Sequence, residues 1–186
     1  MNSRILFIAI GVLGLALCMQ QEDTKACTTF QLNHKGNIFV GKNYDWMVED
    51  GLIIVNKRGV TKTAMESTVD NTGLGTPARW TSKYGSVTFA QYGRELVPGG
   101  MNEAGLVVES MGLFQNTPNR KYPDPDTRVS ILVQQWRQYQ LDNFARVKEV
   151  IESDAYLRIR PKKGIHSHYI ISDRDGNCAT IEFLDG

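Results

Sequence analysis

Cys27 is the residue on which chemistry can be built, because it follows Thr24-Lys25-Ala26, which puts small residues three and one positions ahead of it. A cut after Ala26 gives Cys27 a thiol and a free α-amine on one residue. A thiol titrates near about 8.5 and an α-amine near about 7.7–8.0, so at neutral pH the amine can accept and relay the thiol proton without a histidine. Nucleophile and base in a single residue suit acyl transfer.

Two further stretches carry groups that such a centre needs. Gly41-Lys42-Asn43-Tyr44-Asp45-Trp46 offers a cation, an amide and a carboxylate. Lys42 beside a thiol favours the thiolate, and Asp45 can hold the ammonium or the thiol hydrogen in one orientation. The alternative is an exposed Lys42–Asp45 ion pair on a strand end, which does little. Pro98-Gly99-Gly100-Met101-Asn102-Glu103-Ala104-Gly105 reads as a tight turn bracketed by glycines, able to present Asn102 or its backbone N–H to a developing oxyanion, or else as a plain hairpin turn. Cys178 supplies the bland rival for Cys27: a disulfide closing so long a loop stabilises by about 5 kcal/mol in the chain-entropy model. As a free thiol, Cys178 reads as a small buried filler. His166 and His168 alternate on one strand, but with no carboxylate or cysteine motif at ligand spacing a zinc site is not expected, and no cofactor is called for.

The elements that must position these groups follow from pattern. Thr28 to Asn33 is β-rich, His34-Lys35-Gly36-Asn37 is a turn, and Ile38 to Val40 resumes a strand, so a hairpin folds the low forties back beside Cys27. Gly51 to Lys57, Ser86 to Tyr92 and Leu106 to Met111 read as strands, and Lys62 to Ala78 as a long loop. Asn116 to Asp126, with Pro118, Pro123 and Pro125, is a second loop. From Thr127 the period turns helical through Val129, Leu132, Val133, Trp136 and Tyr139, with Asp126 or Thr127 as cap and the two aromatics as core. Asp142 is expected to cap a second helix carrying Phe144, Val147, Val150 and Ile151. Asp173-Arg174-Asp175-Gly176-Asn177 joins the last two strands as a hairpin.

Composition bounds the rest. The chain has 186 residues, 41% hydrophobic and 22% charged, with 21 Lys plus Arg against 20 Asp plus Glu. Those values describe one globular domain and give no footprint for a nucleic acid or an anionic membrane. Residues 1–26 read as a removed secretory signal: Arg4, an apolar run from Ile5 to Leu17, then the small residues before Cys27. The run is shorter than the roughly 20 residues of a spanning helix, so no stable membrane anchor is expected and the mature protein is secreted or periplasmic. A lipoprotein reading at Leu15-Ala16-Leu17-Cys18 is disfavoured by the bulk of Leu17.

Taken in order, Cys27-Thr28-Thr29-Phe30, the Gly41–Trp46 stretch, Gly99-Gly100-Met101-Asn102-Glu103-Ala104-Gly105-Leu106 and the hairpin from His168 to Phe183 resemble the choloylglycine hydrolase family. This is the linear amide C–N hydrolase group that includes penicillin V acylases and bile salt hydrolases. The resemblance implies an α+β fold, the αββα N-terminal-nucleophile hydrolase sandwich. It implies Cys27 as nucleophile, Asp45 as the orienting carboxylate, Asn102 as part of the oxyanion hole, and Lys42 where the family usually has arginine. The expected substrate is a small N-acyl amide, cleaved through a thioester; an acyltransferase of the penicillin type and a secreted domain without activity are the alternatives, and self-association is left open. Family members continue past the position of Gly186, into a part with a second oxyanion-hole asparagine and another arginine. Residues 27–186 are therefore expected to be the N-terminal portion of such a domain, with the C-terminal part missing.

Overall fold

The computed structural model describes residues 27–46, 50–65, 76–91, 97–112, 127–160 and 167–183. The proposed signal, the proline loop of Asn116 to Asp126 and His166 lie outside them.

The chain opens with strands β1 (Thr28–His34) and β2 (Asn37–Asn43), paired antiparallel in register from Thr28 opposite Asn43 to His34 opposite Asn37. Lys35 and Gly36 both take positive φ, 52° and 79°, the two-residue turn whose twist matches that of a hairpin. Strands β3 (Leu52–Asn56), β6 (Ser86–Ala90), β7 (Gly99–Asn102), β8 (Val107–Gly112), β11 (Ser167–Ser172) and β12 (Cys178–Ile181) form an antiparallel six-stranded sheet in the order β12-β11-β8-β7-β6-β3. Short strands β4 (Thr61–Thr63) and β5 (Arg79–Thr81) pair with each other, as do β9 (Val129–Ile131) and β10 (Leu157–Ile159), the latter in parallel. Helices α1 (Val133–Asn143) and α2 (Val147–Glu152), the latter followed by a 3-10 turn at Ser153–Ala155, complete the described elements.

One face of the large sheet carries Leu106, Val108, Tyr169 and Ile171, all buried, and α1 lies against it through Val133, Trp136 and Leu141. The Trp136 and Tyr169 rings are 4.6 Å apart, as expected for aromatics serving as core. The hairpin β1–β2 sits over the opposite face, where Thr29 Oγ1 meets Met111 Sδ at 3.0 Å and Gln31 Nε2 donates to the Gly176 carbonyl at 2.9 Å. The order is thus helix layer, sheet, and the start of a second sheet. On the hairpin side, Ile53 (71% exposed), Val55 (69%), Val87 (44%), Phe89 (53%) and Met101 (54%) form an uncovered apolar row, since Ile53 pairs with Phe89 and Val55 with Val87.

Several boundaries differ from those read in the sequence. Lys62 and Thr63 belong to β4, not to a loop, because Lys62 has a buried partner in Asp142. Gly99 to Asn102 is a strand, and the turn shrinks to Glu103-Ala104-Gly105, with Gly105 at φ 87°. The helix starts at Val133 after a strand and has no side-chain cap at Leu132, so the apolar run from Val129 is β before it is α. Asp142 is not a cap for the next helix: it lies in the last turn of α1 and accepts from Lys62 Nζ (2.9 Å), Trp80 Nε1 (2.6 Å) and Gln138 Nε2 (2.8 Å). Helix α2 is closed instead by Glu149, whose carboxylate accepts from the Ala145 and Arg146 N–H groups. Cys178 is exposed, not a buried filler; it opens β12, the edge strand of the sheet.

Asp142 joins the β4–β5 pair to the helix layer and is wholly buried. Replacing it with alanine strands the Lys62 ammonium and the Trp80 and Gln138 N–H donors, and should lower the unfolding free energy by about 3–5 kcal/mol, read as a shifted midpoint in urea unfolding at constant slope.

Candidate active site

Alternation along β1 decides what faces the large sheet. Thr29 and Gln31 point to it, and Phe30 and Leu32 point away, 48% and 56% exposed. Cys27, two residues before Thr29, falls on the same side. Its thiol lies 3.9 Å from the main-chain carbonyl of Asp45, to which it can donate. Two of the four residues singled out in the sequence are thereby adjacent, and the hairpin register explains why: Thr28 opposite Asn43 places the following Tyr44 and Asp45 alongside Cys27. Tyr44 and Trp46 stack at 6.2 Å beside this point.

Lys42 is the third. It pairs with Thr29 across the hairpin and so shares the inward face. Its partner is not Asp45, and the pair is not at the surface: Nζ lies 2.9 Å from Glu109 Oε2, with side-chain exposures of only 13% and 9%. Nζ also stands 4.5 Å from the centre of the Tyr44 ring. Burial pushes the Lys42 ammonium down from its ordinary value and pushes the Glu109 carboxyl up, while each opposes the other's shift. Arg137, on α1, is buried behind them and donates to the Val97 carbonyl; its charge lowers the proton affinity of Lys42 and of Glu109. Cys27 is within electrostatic reach of Lys42 and favours its charged form.

Asn102 is on the other face of the sheet. It pairs with Ser86 at the helix-side row, and its amide N–H groups donate to the Leu141 and Phe144 carbonyls at 2.8 and 2.7 Å. Its carbonyl oxygen accepts from the Ala104 and Leu106 N–H groups at 3.1 and 3.0 Å. Every hydrogen-bonding position of the side chain is occupied by backbone. In this structure the expected oxyanion donor instead ties the β7–β8 turn to the end of α1, where main-chain carbonyls lack intrahelical partners.

Cys27 and Cys178 are both free thiols, so the alternative disulfide is not formed. Among the described residues no three His, Cys, Asp or Glu side chains converge as metal ligands would. Glu109 and Arg137 are the site residues that the sequence did not reveal. Glu109 lies mid-strand in Leu106 to Met111, and its only sequence signal is a carboxylate within an apolar run.

Comparison with known proteins agrees with this architecture. Residues 27–185 match the profile of the linear amide C–N hydrolases, choloylglycine hydrolase family. Penicillin V acylase of Pectobacterium atrosepticum is 32% identical over 119 residues, covering 58% of this chain and 31% of that protein. The solved structure of penicillin V acylase from Agrobacterium tumefaciens superposes with a TM-score of 0.67 at 25% identity, over 87% of this chain and 47% of that one. A point variant of conjugated bile acid hydrolase from Clostridium perfringens shares the fold, with a TM-score of 0.63 at 23% identity over 84% and 48% of the two chains. The chain therefore spans about half the length of these structures.

The four bonds of Asn102 carry a test. Asn102→Ala should lower unfolding stability by about 2–3 kcal/mol, the cost of stranding buried backbone groups, measured by denaturant titration, while the alkylation rate of Cys27 in the folded fraction stays within about twofold of the parent.

Proposed function

The chain belongs to the choloylglycine hydrolase family of linear amide C–N hydrolases, and on that premise we propose that the whole protein is an exported amidohydrolase with Cys27 as its nucleophile. The observation that carries the reading is the placement of the Cys27 thiol, 3.9 Å from the Asp45 carbonyl at the open end of a registered hairpin. The match to the family starts at this same residue, which supports Cys27 as the first residue of the mature enzyme.

In the proposed reaction the Cys27 sulfur attacks the amide carbonyl of a small N-acyl substrate. The α-amine of Cys27, freed by removal of residues 1–26, takes the thiol proton and passes it to the leaving nitrogen as the C–N bond breaks. A thioester remains. Water, deprotonated by the same amine, attacks it and releases the carboxylic acid. Asp45 orients the amine and thiol, and Lys42 supplies positive charge beside the sulfur. The Asn102 amide has no free donor for the oxyanion, so that charge falls to other groups. No cofactor enters the scheme. Penicillin V and bile-acid conjugates, the substrates that the relatives' names point to, are the first to try.

The mature protein is expected to begin at Cys27, read as its intact mass, and Cys27→Ser should lower hydrolysis of penicillin V or a bile-acid conjugate by at least about a hundredfold. Retention of Ala26 in the exported protein, or full activity in Cys27→Ser, overturns the reading. Addition of a free primary amine tells hydrolase from acyltransferase: a hydrolase gives only the acid, an acyltransferase a new amide.

A further inference from the structure

We propose that Glu109 is a positioning residue for this reaction: it fixes the Lys42 side chain beside Cys27 and keeps it in the ammonium form. The inference rests on the reading of Cys27 as nucleophile and deepens it.

The geometry is built for one purpose at four points. Lys42 reaches inward from β2 and Glu109 reaches toward it from β8, meeting at 2.9 Å with both side chains nearly closed to water. Gly99, directly opposite Glu109 in the sheet, makes room for the carboxylate: a Cβ at Gly99 would overlap both Glu109 oxygens. Its φ is not positive, so the backbone there does not itself require glycine. The absence of a side chain is what the carboxylate uses. The Tyr44 ring closes a further side of the ammonium at 4.5 Å.

The charges around Lys42 make Glu109 necessary. The groups that face it are Glu109 from β8, Arg137 from α1, the Tyr44 ring from the end of its own hairpin, and Cys27 ahead of β1. Burial and the Arg137 charge both drive the lysine toward the neutral amine, and Glu109 is the strongest opposing influence. Without it, a desolvated lysine next to a guanidinium sheds its proton at lower pH. A neutral Lys42 brings no positive charge to the sulfur. An arginine at the same position would not depend on Glu109 in this way, because a guanidinium holds its proton at any pH of interest.

The test uses the full chain with lysine labelled with carbon-13 at Cε, whose chemical shift follows protonation of the neighbouring Nζ; Lys42→Gln assigns the resonance. Glu109→Gln should move the Lys42 titration at least about one pH unit lower, a tenfold weaker hold on the proton. At pH 8 the rate of Cys27 alkylation by iodoacetamide should fall about three- to tenfold in Glu109→Gln, and the double variant Lys42→Arg with Glu109→Gln should restore it. Should Glu109→Gln not fold, Gly99→Ala displaces the carboxylate while keeping every charge and is expected to shift the Lys42 titration in the same direction. An unmoved Lys42 titration in a folded variant, or a double variant as slow as the single one, overturns the proposal. Neither readout needs substrate turnover, so failure of the amidohydrolase reading, seen as full activity in Cys27→Ser, is a separate result.

Discussion

Register in the first hairpin is the constraint on which the site depends. Side chains on a strand alternate, so a slip of one residue between β1 and β2 would turn either Lys42 away from Glu109 or Thr29 away from Met111. What prevents the slip is local. Lys35 and Gly36 adopt the left-handed turn that fixes a two-residue loop, and Gln31 is bonded to Gly176 and Ser172 on the large sheet. Gly41 adds a second lock, since the Phe30 ring lies over it in the space a Cβ would fill. A reactive residue at the end of a strand is normally prone to fraying. Here its strand is pinned at the turn, in the middle and at the sheet.

The same alternation explains why charge is buried where it is. Once Lys42 points inward it must either find a carboxylate or give up its proton, because desolvation of an isolated ammonium costs several kcal/mol. Glu109 and Lys42 each partly cancel what burial does to the other. Arg137, held at the Val97 carbonyl and stacked 5.9 Å from the Tyr169 ring, adds a second cation behind them. The cluster thus holds two cations around one carboxylate. By contrast Asp142, with one cation and two neutral donors, is a purely internal tie between layers.

Much of the fold was legible because its signals are local. Lys35-Gly36 and the Asp173 to Asn177 turn announce their hairpins through residues that only turns require, and Asp173 indeed accepts from Asp175 and Asn177 as such a turn does. The placement of Cys27 beside Asp45 follows from counting back from the first turn. Where the reading failed, the deciding contact was distant in sequence. Asp142 looked like a cap because aspartate before an apolar run usually is one; its partners Lys62 and Trp80 come from strands about 60 to 80 residues earlier. Val129 to Ile131 looked helical because its apolar spacing continued that of α1, but pairing with Leu157 to Ile159 makes it a strand. The glycine-flanked turn left Asn102 open between an oxyanion donor and a plain turn residue, and the family resemblance pointed to the former, whereas its bonds to Leu141 and Phe144 depend on the docking of α1. Glu109 was invisible for the same reason: nothing in its own strand indicates that Lys42 will arrive above it.

The apolar side chains left outside tell what the architecture still calls for. In the hairpin, Phe30, Leu32 and Phe39 face away from the large sheet at 48%, 56% and 55% exposure, while Thr29, Gln31 and Lys42 face toward it. A two-stranded ribbon with water on its outer face would carry polar residues there; an aromatic and aliphatic outer face belongs to a sheet buried on both sides. The row Ile53, Val55, Val87, Phe89 and Met101 makes the same statement for the large sheet beside the hairpin. Full burial of side chains such as these stabilises by about 1.5–3 kcal/mol each, so eight of them amount to more than the net stability of many domains. Strands continuing the hairpin would cover the row, and a helix layer outside it would cover Phe30, Leu32 and Phe39, which is the order of an αββα sandwich. That agrees with a chain spanning 47% of the penicillin V acylase structure it superposes on. The position of Cys27 is therefore tied to that packing: whatever presses on the outer face of β1 also presses Cys27 and Lys42 against the sheet that holds Glu109.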